Sequence, residues 1–104
     1  MVYKTITVGD KAVRFGASAD TPRQYRLLFG SDMIADLAAL TEANLNVEIL
    51  NQVAYCMAKA ANPDIEEMGA WLDQFGLFDI IHAMPEIMAL WGINAKTKST
   101  PKKK

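Results

Sequence analysis

Apolar and polar positions alternate at the start of the chain. Val2, Lys4, Ile6 and Val8 fall on one side of an extended segment, and Tyr3, Thr5 and Thr7 on the other. A period of two in β-branched residues is the pattern of a half-buried strand. Gly9-Asp10 supplies a turn, and Lys11 to Phe15 reads as a second strand with Ala12, Val13 and Phe15 as its apolar positions. Together they predict a β-hairpin. A lone hairpin is marginal in water, so its apolar face needs helices to pack against.

Helical punctuation begins at Thr21-Pro22-Arg23-Gln24. There a Thr hydroxyl can cap a free N–H, Pro fits the first helical position and Gln can close a capping box. This helix would bury Tyr25, Leu28 and Phe29 and stop at Gly30, where positive φ is cheap. Ser31 or Asp32 opens a short helix whose Met33, Ile34, Leu37, Ala38 and Leu40 suit an apolar stripe. The strongest period lies between Asn44 and Ala61, where Ile49, Leu50, Val53, Ala54, Met57, Ala58 and Ala61 make one continuous face. Asn62-Pro63-Asp64 is expected to break the chain and restart a helix, with Asp64, Glu66 and Glu67 at its positive end. That helix would present Ile65, Met68, Leu72 and Phe75 before Gly76. Leu77 to Trp91 reads as a last helical segment with Pro85 inside it, either kinked or split in two. The predicted fold is α+β: an N-terminal β-hairpin on about five mostly short α-helices.

Composition limits this to one domain. Apolar residues make up 51% of the 104, a globular rather than a disordered content. A chain of this size buries roughly 60–65% of the surface its unfolded form exposes, enough for one modest core. That domain is expected over residues 1–94, and 95–104 is expected to be a disordered basic tail.

Net charge is −1, but it is unevenly spread. Residues 1–94 hold six Lys and Arg against all twelve Asp and Glu; residues 95–104 hold five Lys and no acid. Met1 to Asp10 has no basic segment followed by an apolar run, and no apolar stretch reaches 18 residues. A cytoplasmic chain without a membrane span is expected. Cys56 is the sole cysteine, so no internal disulfide forms.

Groups suited to catalysis are sparse. Cys56 and His82 could meet in space as nucleophile and base. Cys56, however, lies in an apolar helix between Tyr55 and Met57, where cysteine usually serves as a small hydrophobe. His82 is more often a packed histidine, with Asp79 three residues before it as an orienting partner. Asp32 and Asp36 are an isolated acidic pair with no zinc-like spacing, and Glu66-Glu67 suits a helix dipole better than acid–base work. No glycine-rich phosphate loop occurs. The expectation is a protein that is not an enzyme, with no cofactor and no metal.

Nucleic-acid binding needs a basic surface. Arg23 and Arg26, with Arg14 near, form a small cluster on an acidic body, and the lysine tail offers salt-sensitive contact without sequence readout. A small helical DNA-binding or regulatory protein is therefore the alternative reading. Six methionines with Trp71 and Trp91 are generous for this length. Core filling is the ordinary role for each, but Met and Trp are also the side chains of adaptable partner surfaces. Any apolar patch left over would serve self-association or a partner groove.

Four blocks in order resemble the small tail assembly chaperones of long-tailed phages and prophages of Gram-positive bacteria. They are Tyr25-Arg26-Leu27-Leu28-Phe29-Gly30-Ser31-Asp32, Ala54-Tyr55-Cys56-Met57-Ala58-Lys59, Trp71-Leu72 followed by Phe75, and Glu86-Ile87-Met88-Ala89-Leu90-Trp91 with Asn94 and the Ser/Thr/Lys ending. They span the chain from about Thr21 onward. The resemblance implies a non-enzymatic helper in the host bacterial cytoplasm that coats the tape measure protein. It also implies recruitment of the tail tube protein through a longer form made by programmed frameshift, for which Lys102-Lys103-Lys104 could mark a slippery run. A homo-oligomer is compatible with this role, whereas membrane and nucleic acid are not expected partners. The contact residues expected for it are Tyr25, Arg26, Phe29, Trp71 and Trp91.

Overall fold

In the computed structural model, which describes residues 1–41 and 43–92, two strands precede five helices. Strand β1 (Val2–Val8) and strand β2 (Lys11–Ala17) pair antiparallel, with Val8 opposite Lys11 and Val2 opposite Ala17. β2 thus runs two residues beyond the Phe15 expected from the pattern. Phe15 and Ala17 face the core beside Ile6 and Val8. The turn depends on Gly9 twice. Its φ is 66°, and a Cβ there would collide with the carboxylate of Asp79.

Helix α1 (Thr21–Phe29) stops at Gly30, whose φ of 77° makes the left-handed cap the sequence predicts. Its start differs from the expectation. Asp20 precedes the first turn, and the Thr21 hydroxyl points backward to accept the Ser18 N–H at 3.1 Å. Gln24 Nε2 donates to Asp20 Oδ2 at 2.9 Å. Thr21 is lost as a cap because it is already the first helical residue and its hydroxyl is taken by Ser18.

Helix α2 (Met33–Ala38) is capped by Asp32, whose side chain accepts the Ala35 N–H at 3.0 Å. Helix α3 (Val47–Ala61) is capped by Asn46, which accepts from Glu48 and Ile49. From Val53 to Ala58 every residue of α3 is buried. That stretch is apolar all round and belongs inside, and α3 packs on β2, α1, α2, α4 and α5.

The restart expected at Asn62 does not occur. Asn62 ends α3 instead: its amide Nδ2 donates to Ala58 O at 2.8 Å and to Arg14 O at 3.0 Å, tying the helix end to β2. A turn at 63–64 follows, closed by the Ile65 N–H on Asn62 O, and the Tyr55 hydroxyl donates to Glu66 O at 2.7 Å, engaging the segment before α4. Helix α4 (Met68–Leu72) starts only after Glu67, whose carboxylate accepts the Ala70 N–H at 2.8 Å.

Helix α5 (Asp79–Ala89) is one element with Pro85 inside it, not two. It packs on α3 and β1 and runs antiparallel to the strand, with Asp79 at the Gly9 turn and Glu86 4.0 Å from Lys4. One core results, with α3 through its middle and the hairpin, α1, α4 and α5 around it. Among the described residues, no helix is long and apolar enough to cross a membrane. The tail expected at 95–104, with Lys102-Lys103-Lys104, lies outside the described residues.

Candidate partner-binding groove

The five residues expected to contact a partner are dispersed. Tyr25 is wholly buried, with its ring edge-on to half-buried Phe29 at 5.0 Å. Trp71 is also core, 3% exposed, between the rings of Tyr55 at 5.6 Å and Phe75 at 5.0 Å. Neither ring is free to meet a partner while the fold is intact. Arg26 is exposed in the last turn of α1, where a cation suits the helix dipole. Trp91 is half-buried, and its Nε1–H donates to Met57 Sδ at 3.2 Å. Only Tyr25 and Phe29 meet.

Tyr25 anchors a polar network. Its hydroxyl lies 2.8 Å from Asp36 Oδ2 and 2.9 Å from Gln52 Oε1, and Ser31 Oγ donates to the same Asp36 oxygen at 2.8 Å. One hydroxyl proton serves one acceptor at a time, so the phenol is shared between α2 and α3. Burial, then the Asp36 carboxylate, raises the Tyr25 pKa well above the usual tyrosine range. Burial likewise raises that of Tyr55, with Glu67 and Glu66 adding to it.

The groups considered for chemistry also separate. Cys56 is buried with Sγ 3.8 Å from Thr21 O, and burial pushes its thiol up to about 11. A thiol so raised is a weak nucleophile near neutral pH. His82 is exposed rather than packed inside, stacked on Phe78 at 6.3 Å. Asp79 does not orient it; its carboxylate accepts the Gly76 N–H at 2.7 Å. Asp32 caps α2 while Asp36 serves Tyr25 and Ser31. Among the described residues, no three His, Cys, Asp or Glu side chains gather where they could hold a metal ion.

What the fold does assemble is an open apolar groove of about 460 Å³. Ile34, Leu37 and Ala38 of α2, with Leu40 just beyond it, form one wall. Leu50 of α3 and the methionines of α5, Met84 and Met88, form the floor and the other wall. No charged side chain lines it. The geometry follows from the helical turn. Met33 and Ile34 point about 100° apart on α2, so Met33 is buried while Ile34 stays 59% exposed. Met84 and Met88 stand one turn apart on α5, which sets both side chains on the groove side of the helix.

The pattern places Met33, Ile34, Leu37, Ala38 and Leu40 in one apolar stripe and does not join them to Met84 and Met88. The usable signal is the width of that stripe, in which Ile34 and Ala38 stand to one side of Met33, Leu37 and Leu40. Comparison of the chain with protein-family models, curated proteins and solved structures found no match.

Proposed function

We propose that this chain is a tail assembly chaperone of a long-tailed phage, a non-enzymatic helper that binds the tape measure protein in the host cytoplasm and keeps it soluble until the tail tube forms around it. The observation that carries this reading is the groove bounded by Ile34, Leu37, Leu40, Met84 and Met88. A tape measure protein offers long amphipathic helices before assembly. Such a helix lays its i, i+3, i+4 and i+7 side chains into an apolar groove, and polar lining would have to be desolvated for no return.

Methionine suits a partner whose sequence changes along its length. Its unbranched thioether re-packs around different side chains at little cost. Each contact buries only a few apolar side chains, worth roughly 1.5–3 kcal/mol apiece before ordering costs. Single copies therefore hold moderately, many copies cover a long helix, and incoming tube subunits displace them one at a time. Recruitment of the tail tube protein falls to a longer, frameshifted form of the chain. The acidic body of residues 1–94 disfavours the DNA-binding alternative.

Co-expression with the tape measure protein tests the reading. Ile34→Lys and Ala38→Lys each place a charge at the groove on an exposed position outside the packed core, so both variants should fold. The wild-type chain should keep the tape measure protein in the soluble fraction, and both variants should reduce that fraction about tenfold. Binding should hold or strengthen in sulfate. Undiminished solubilisation by both variants, or binding that collapses as salt rises, would overturn the proposal.

A further inference from the structure

Strand β1 has an open edge. A two-residue turn makes Val8–Lys11 the first hydrogen-bonded pair, followed by Ile6–Val13, Lys4–Phe15 and Val2–Ala17. The backbone groups of Tyr3, Thr5 and Thr7 therefore point away from β2. Among the described residues, none of their N–H or C=O groups enters a backbone hydrogen bond outside the hairpin. The other edge differs. Arg14, opposite Thr5, turns its carbonyl outward on β2 and receives Asn62 Nδ2 at 3.0 Å.

Natural proteins blunt such edges with proline, bulges or inward charges. β1, Val-Tyr-Lys-Thr-Ile-Thr-Val, has no proline and is paired without a bulge; its one charge, Lys4 on the side of Ile6 and Val8, is answered by Glu86 at 4.0 Å.

We propose that β1 pairs antiparallel with β1 of a second copy of this chain, about a two-fold axis at Thr5, to form a continuous four-stranded sheet. In that register Thr5 faces Thr5, and Tyr3 of each copy faces Thr7 of the other. All the outward N–H and C=O groups of the three residues are then consumed. Charge agrees with the register. Lys4 stands opposite Ile6, beside its own Glu86, whereas a shift centred on Lys4 would oppose two lysines.

Apolar surface agrees as well. Phe78, His82 and Glu86 share one face of α5 by their spacing of four, and the Glu86–Lys4 contact sets that face along the open side of β1. Val2 and Phe78 are both 57% exposed. The pairing brings Val2 of one copy opposite Val8 of the other, at the turn where Asp79 meets Gly9 and Phe78 stands next in sequence. Each Val2 would be covered there by the second copy's Phe78. On each remaining β2 edge Asn62 already occupies the Arg14 carbonyl, at the middle of the strand.

Sedimentation equilibrium on the full chain and on Thr5→Pro and Thr5→Lys tests this. Thr5 is exposed and its N–H points outward, so proline leaves the hairpin ladder intact while lysine opposes like charges on the axis. Circular dichroism should confirm that both variants fold. The wild-type chain should dimerise reversibly, and each variant should weaken the dimer at least about tenfold. Thr5→Cys should cross-link two copies with a short bismaleimide, because facing hydrogen-bonded residues lie about 5.5 Å apart at Cα. A wild-type chain that stays monomeric to its solubility limit overturns the proposal. So does a dimer that survives both Thr5 substitutions, or a dimer in which Thr5→Cys does not cross-link.

Discussion

The Tyr25 hydroxyl lies 2.8 Å from the carboxylate of Asp36, a contact that fastens α1 to α2 across eleven residues of sequence. Ser31 reaches the same oxygen from the intervening turn. The phenol sits at the edge of the core, where a hydrogen bond to a charged acceptor is worth more than one in water.

Tyr25→Phe removes that bond and keeps the ring against Phe29. It should cost about 1–2 kcal/mol in urea unfolding, since Asp36 retains Ser31 as a donor. The alkaline limb of stability should change too. The native state favours the neutral phenol, so its contribution is whole below the ordinary tyrosine value of 10.0 and fades as pH rises through the raised native value. Thermal melts above pH 10 should fall more steeply for the wild-type chain than for Tyr25→Phe.

Cys56 should be unreactive until the fold opens. With the thiol pushed up to about 11, its thiolate fraction at pH 8 is on the order of a hundredfold below that of a free cysteine. Labelling by a thiol reagent should therefore follow the rate of opening, and denaturant should release it. By the same sign rule the neutral thiol's contribution to stability holds below pH 9 and is lost as pH climbs toward 11. Fast labelling of the native chain would contradict the burial of Sγ.

Trp71→Ala should damage the fold rather than a surface. The ring is enclosed by Tyr55 and Phe75, and emptying such a site costs about 3–5 kcal/mol, close to the whole stability of a small domain. The variant should be largely unfolded at 37 °C by near-UV circular dichroism. A well-folded variant would return Trp71 to the list of candidate contacts.

Pro85→Ala should raise stability. Pro85 is exposed, lies past the first turn of α5 and supplies no N–H to the Ile81 carbonyl. Restoring the donor in a position already helical should gain about 1–3 kcal/mol in denaturant unfolding. A loss would mean that the proline ring shapes the groove side of α5.

Much of the fold was legible because the signals were local. The alternation from Val2 to Val8, the Gly30 stop and the long stripe of α3 each depend on a few neighbouring residues, and each stands where the pattern puts it. The start of α4 was not legible. Asn62-Pro63 and Glu67 are both sound helix openings, and the choice between them is made by the Tyr55 hydroxyl and the Arg14 carbonyl, which approach only in the folded chain. The groove was half legible. Its residues were recognised as apolar, but which side of a six-residue helix remains uncovered depends on how α2 settles against α3 and α5.

The contact between β1 and α5 joins the first to the last element among the described residues. During synthesis the hairpin emerges long before Asp79–Ala89 is made, so Ile6 and Val8 lack one of the walls that bury them until nearly the whole domain has left the ribosome. Closure of this sheet onto α5 is a late step, and the strand that waits longest for cover is also the one with an open edge.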